Sequence, residues 1–219
     1  MKINFIPVDQ SKTGKIEIIA VVITGLSKFV LADWLQLKMF YIVTVCLFWG
    51  IYVYRKYKRR PKVLKFWGLQ KANFTPSFTF LLPFALAGIA GIFVYGFVEN
   101  ARFLNWHVIP IVLLYPAWGL IQQFMILGLI GRNLKELMKD KWSDWQVIIV
   151  ITIIFTLIHY PDIILMMYVM ILEIIFGWTY FRWNNLWTLG LYHGWISGLF
   201  IFFVQGRDLW TELWSVFAQ

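Results

Sequence analysis

Apolar residues in this chain come in long unbroken runs, without the strict alternation of a half-buried strand or the narrow stripe of a soluble amphipathic helix. The runs cover residues 16–34, 38–54, 78–97, 108–131, 145–159, 163–181 and 186–204, joined by short polar or basic connections. A helix rises about 1.5 Å per residue and a bilayer core is about 30 Å thick, so each run suits all or most of one crossing. The pattern predicts an all-α polytopic integral membrane protein of about seven transmembrane helices. No internal repeat or low-complexity linker divides it, so it reads as one membrane domain over 1–219. Pro83, Pro110 and Pro116 fall in the first turn or first half of their runs, where kinking is tolerable. The fifth run stops at "HYPD", because Pro161 disfavours helical geometry at Tyr160. The first run is the least regular, since Glu17, Lys28 and Asp33 lie in or beside it, and such side chains are expected to snorkel to the headgroups.

Composition agrees. Of 219 residues, 60% are hydrophobic and 14% charged, with a mean hydropathy of +0.69. A soluble domain is nearer half apolar. The 13 Trp and 10 Tyr suit interfacial belts. The formal charge of +9 is not a nucleic-acid signal, because the basic residues sit between runs on alternating connections. Lys12 and Lys15, the 55–71 cluster, the 132–141 connection and Arg182 fall on one side of a seven-helix thread, against Lys38, Arg102 and Arg207 on the other. The positive-inside rule then predicts a cytoplasmic amino terminus. The single cysteine, Cys46, rules out an internal disulfide framework and a Cys-based metal cluster. The opening "MKINFIPVDQSKTGK" lacks the apolar core of a cleavable signal. In the tail "RDLWTELWSVF", Leu209, Trp210, Leu213, Trp214 and Phe217 share one helical face. It reads either as a helix lying in the interface or as a packed terminal helix.

Polar side chains inside the runs carry the chemistry. Ionisable groups are rare in a membrane and usually serve function, since each must find a partner or water there. The candidates are the adjacent Gln122 and Gln123 in run four, His159 at the end of run five, Glu173 in run six and His193 in run seven. Phe155 lies four residues before His159 and Ser197 four after His193, so each pair shares a helical face. Two histidines and a carboxylate are common material for a hydrolytic metal site, so a divalent metal such as zinc at His159 and His193 is one expectation. Taken singly, each histidine reads more readily as a hydrogen-bonded packing residue than as a ligand. His107, at the start of run four, reads as interfacial.

These residues resemble the CPBP, or Abi, group of intramembrane proteases, which includes the CAAX prenyl endopeptidases. That group's pattern is two adjacent glutamates followed by an arginine on one helix, Phe-x-x-x-His on the next, and His-x-x-x-Asn or a small residue on a later one. Here the corresponding text is "QQFMIL" with Gln122, Gln123 and Leu127, "FTLIH" with Phe155 and His159, and "HGWIS" with His193 and Ser197. The stretch "HYPDIILMMYVMILEIIFGWTYFRWNNLWTLGLYH" is also similar to the usual run between the two histidines. The resemblance covers residues 78–203. It implies endopeptidase ancestry, a membrane-anchored peptide or membrane protein as substrate or partner, and residence in a bacterial or archaeal cell membrane. It also implies that Phe155 and Leu127 stand near the substrate.

The departures fall on the chemistry. The resemblance gives the glutamates the task of activating or positioning water, and the histidines with the Asn that of assisting or stabilising the oxyanion. Gln122 and Gln123 keep the shape of carboxylates, yet an amide cannot act as a general base at neutral pH. Leu127 replaces the arginine, so charge and counter-charge are gone together. Losing the glutamates alone would strand a buried arginine, at a cost of about 3–5 kcal/mol. Glu173 stands where the group more often has a small residue, and offers itself as a replacement base or as a partner for a histidine. Three readings follow: a pseudoprotease that binds without cutting, a working endopeptidase with a rewired site, and a small-molecule carrier. The last is least supported, since no repeat symmetry or paired broken helix is present.

Overall fold

The computed structural model describes residues 10–99, 106–139 and 141–214, and every regular element among them is a helix. In chain order the helices are α1 (Gln10–Lys28), α2 (Lys38–Arg59), α3 (Val63–Trp67), α4 (Phe74–Val98), α5 (Val108–Gln123), α6 (Arg132–Leu137), α7 (Asp144–Leu157), α8 (Ile163–Trp183), α9 (Leu186–Phe203) and α10 (Leu209–Trp214). Two stretches of wider π geometry interrupt this order. One, Phe29–Trp34, prolongs α1, and the other, Phe124–Gly131, joins α5 to α6 in one continuous rod.

The chain is an integral membrane protein of all-α class. Among the described residues, four helical segments are long and apolar enough to cross a bilayer: Phe74–Val98, Val108–Leu137, Ile163–Trp183 and Leu186–Phe203. Helix α7 is apolar but shorter. The charged α1 and α2 are not among the four, so the expected seven crossings are not all marked by length and composition.

Helix α9 is the axis of the fold. From Leu186 to Phe203 it is buried almost all round, against α5 on one side and α4 on another. Closeness to α5 comes from small residues. A Cβ on Gly194 would lie 2.3 Å from Pro116 Cα, and one on Gly190 2.6 Å from Leu120 Cα. The two backbones therefore touch, as membrane helices do where small residues recur every fourth position. This contact brings the end of α5 against the middle of α9.

The helix ends are held by side chains. Ser143 and Gln146 form a reciprocal capping box at α7, and Asp162 accepts the backbone N–H of Leu165 at the start of α8. Between α8 and α9, Asn184 takes a left-handed conformation (φ 49°) and Asn185 caps α9 through the N–H of Thr188. Asn185 also reaches across to the α3–α4 connection and Asn184 to α3 itself. Asn185 Nδ2 donates to the carbonyls of Gln70 and Ala72 at 2.8 and 2.9 Å, and Asn184 Nδ2 to that of Lys65 at 2.9 Å. The Asn-Asn-Leu-Trp text near the second histidine thus has a structural task.

Helices α1 and α2 join the rest both in mid-helix, where buried Trp49 of α2 packs its ring 6.4 Å from Phe124, and at their ends. At the basic end, Glu17 is 6% exposed and does not reach the headgroups as expected. Asn133 Nδ2 donates to it at 2.6 Å, the Tyr52 hydroxyl also donates to it, and Lys56 Nζ lies 3.5 Å away. A buried carboxylate needs such partners. At the other end Lys28 pairs with Asp33 at 2.8 Å, and Lys38 meets Glu212 of α10.

Candidate functional site

A cavity of about 660 Å³ opens between the α1–α2 pair and the helices α5 and α7, a size usual for ligand sites. Its wall is mostly apolar, with Gly25, Trp118 and Phe155 among its residues, and Gln122 and His159 contribute polar atoms. The tail helix α10 closes one end. Leu209, Trp210 and Leu213 line the cavity, so of the two readings of the tail the packed one matches the contacts; Phe217 lies outside the described residues. Around α10, Arg207 donates to both carboxylate oxygens of Glu212 at 2.8 and 2.9 Å, and His107 bonds Asp208. His107 is therefore tied to the tail, more than simply interfacial.

Behind the cavity wall lies a four-residue hydrogen-bonded network. Gln123 is wholly buried on α5, Glu173 wholly buried on α8, and His193 is 2% exposed on α9. Gln123 Nε2 is 3.0 Å from Glu173 Oε2 and 3.3 Å from His193 Nδ1. His193 Nε2 is 3.1 Å from Gln122 Oε1. These contacts assign the protons. The Gln122 carbonyl oxygen can only accept, so His193 carries its proton on Nε2 and its Nδ1 accepts. Gln123 then donates one amide hydrogen to His193 and the other to Glu173. Both donors of that amide are committed.

The second histidine stands apart from this network. His159 lies in the turn after α7, where its Nδ1–H donates to the Phe155 carbonyl at 2.8 Å. The aromatic ring of Phe155 touches both histidines, with centroids 4.9 Å from His159 and 5.6 Å from His193. The two imidazoles are thus grouped through Phe155, with His159 facing the cavity. The set does not fit zinc. Both nitrogens of His193 are engaged by amides, and among the described residues no three His, Cys, Asp or Glu side chains gather to hold an ion.

Of the remaining candidates, Leu127 sits in the π stretch, fully buried in the apolar core. Ser197 is 3% exposed, and no hydrogen bond joins it to His193 or to either glutamine. Residues without a sequence signal complete the surroundings. Phe176 packs its ring 6.1 Å from His193, and an aromatic in an apolar run gives no hint of that. Ile148 of α7 packs against Gly177 of α8. The Thr152 hydroxyl, Glu173 Oε1 and Gln123 Oε1 are all buried without a hydrogen-bond partner in the protein.

A model of the type II CAAX prenyl endopeptidase Rce1-like family matches residues 7–199. That is most of the chain, and the chain belongs to this family. No curated protein and no solved structure shows significant similarity to it.

Proposed function

We propose that this family member holds a membrane-embedded peptide segment in its cavity without cleaving it. The observation that carries this reading is Gln123. It stands at a position where the motif resemblance expects a glutamate, and it is an amide with both hydrogens spent on Glu173 and His193. Such a group neither takes a proton from water nor has a free donor to orient one. The cavity beside it, bounded by Trp118, Phe155 and His159, keeps the size and apolar character a bound segment needs. In this reading Gln122 and His159 supply the polar contacts that fix the segment, and the bilayer supplies the rest of its environment. The protein resides in a cell membrane with its amino terminus in the cytoplasm. Cysteines introduced in the 55–65 and 132–141 connections should then both label from the cytoplasmic side.

One observation favours a second reading. Glu173 is a carboxylate within 3.0 Å of Gln123, so a rewired enzyme would use it as base. A fluorogenic prenylated peptide and a photo-crosslinking version of it separate the two. The proposed outcome is crosslinking to cavity residues with no turnover above the lipid background. General-base assistance is worth about 10²–10⁴-fold, so a working enzyme would stand well clear of that background. Turnover by the unmodified protein that vanishes in Glu173→Gln would overturn the binding role in favour of the enzyme.

A further inference from the structure

The outer face of α2 has a use that the cavity does not account for. Phe40, Val43, Leu47, Ile51 and Tyr54 follow one another at three- and four-residue steps and are each between 44% and 60% exposed. They form one stripe, because such steps return to the same side of a helix. Continued toward the basic end, the stripe runs into cations. Arg55, Lys58 and Arg59 of α2 and then Arg60, Lys62 and Lys65 are all exposed. Lys58 Nζ lies 5.7 Å from the ring centre of Tyr54, where the apolar and basic parts meet. Residues 55–71 hold eight Lys and Arg, and no Asp or Glu occurs anywhere from 34 to 98. Lys56 is the exception in orientation, turning inward to Glu17.

An exposed apolar stripe about as long as an acyl chain, ended by clustered cations with no carboxylate in their own segment, has the two-part character of one molecule. We infer that the outer face of α2 binds an anionic phospholipid. Its acyl chains lie along Phe40, Leu47 and Ile51, and its phosphate sits among Arg55, Lys58 and Arg59. Exposed apolar side chains also line the outer faces of α4 and α8; what distinguishes α2 is that its stripe runs directly into six exposed cations. The site bears on the cavity, because Tyr41 and Ile42 on the other side of α2 line it. A lipid seated on α2 therefore holds one cavity wall in place.

The test is lipid selectivity of the full chain reconstituted in phosphatidylcholine vesicles. Spin-labelled phosphatidylglycerol and spin-labelled phosphatidylcholine are compared by the motionally restricted fraction of their spectra. The expected preference for the anionic lipid is about fivefold, the worth of one surface cation, or more. It should fall toward unity when Arg55, Lys58, Arg59, Arg60, Lys62 and Lys65 are changed to Gln. Raising salt on the unmodified protein should weaken it too, which keeps the test valid if that variant misfolds. Equal association of the two lipids would overturn the inference. So would a preference that survives the six changes or high salt, or protection of the stripe by a second copy or a soluble acidic protein in place of lipid.

Discussion

Gly194→Ala is the smallest change that tests how the network is held. The added Cβ would lie 2.3 Å from Pro116 Cα, 2.5 Å from Pro116 N and 2.8 Å from the Tyr115 carbonyl carbon. All three are backbone atoms, so no rotamer change relieves the clash. Ordinary contact begins at 3.4 Å, so α5 and α9 must part locally by about 1.1 Å. The bonds that span this seam, His193 to Gln122 at 3.1 Å and Gln123 to His193 at 3.3 Å, would then exceed hydrogen-bond range. Overpacking costs about 1–3 kcal/mol and each lost hydrogen bond about 1 kcal/mol. The higher helix propensity of Ala returns about 1 kcal/mol, leaving a net loss of about 2–4 kcal/mol. For a chain of this size that lowers the melting temperature by about 5–15 °C. Gly91→Ala is the control, since a Cβ there meets nothing within 4 Å and should be neutral or stabilising. The assay is thermal unfolding of the detergent-solubilised protein, with imidazole ¹⁵N spectra reporting whether His193 keeps its proton on Nε2. If Gly194→Ala melts no lower than Gly91→Ala, the backbone contact does not set the site.

Three further outcomes follow from other parts of the fold. Leu127→Arg alone should destabilise by about 3–5 kcal/mol in the same melt, because it puts an unpaired cation in the apolar core. Asn185→Ala removes the α9 cap and two bonds to the α3–α4 connection, so a loss of about 2–4 kcal/mol is expected, with protease sensitivity appearing first in the 68–73 region. The third concerns acid. Burial works to raise the Glu212 and Asp208 carboxyls, yet hydrogen bonds from Arg207 and Lys38 to the first, and from His107 and Thr211 to the second, outweigh it and hold both below the usual carboxylate range. Groups depressed in the folded state contribute stability above their unfolded pKa values near 4, and that contribution is lost as pH falls through the folded values. Cysteine labelling at position 210 should therefore rise below about pH 4, and Glu212→Gln should show the higher labelling already at neutral pH.

The helices and their order were legible in the sequence because apolar runs are a local pattern, whereas the grouping of the glutamines with the histidines followed only from the motif resemblance. Apolar runs long enough for a bilayer announce α4, α5, α8 and α9, and the polar residues inside them stand out as candidates without saying which of them meet. Glu173 was visible as an anomaly but its partner was not, since nothing in the order of residues says that α8 presents it to Gln123. Glu17, near the start of α1, was misjudged for a related reason. Glu17 looks like a surface charge until Asn133 and Tyr52, brought from two other helices, surround it. The π geometry after Gln123 has no sequence mark at all. Zinc at the two histidines was a reasonable expectation from residue types, and it falls because the amides occupy both nitrogens of one of them.

The network also says what restoring a cleaving site would require. Gln122→Glu and Gln123→Glu together put a carboxylate 3.0 Å from Glu173 and remove the donor that Glu173 and His193 share. Adding Leu127→Arg supplies one cation, so the triple variant still holds three carboxylates against a single positive charge in a dry interior. Like charges that close cannot all ionise, and the base would be held protonated. The fourth change, Glu173→Ala, restores a small residue and leaves two carboxylates with one arginine. Cleavage of the reporter peptide should therefore stay at background in the double and triple variants and rise only in the quadruple one. Activity in the triple variant equal to that of the quadruple would show that Glu173 does not oppose a base at position 123. The amide would then be a passive replacement, with no part in holding Glu173 in the core.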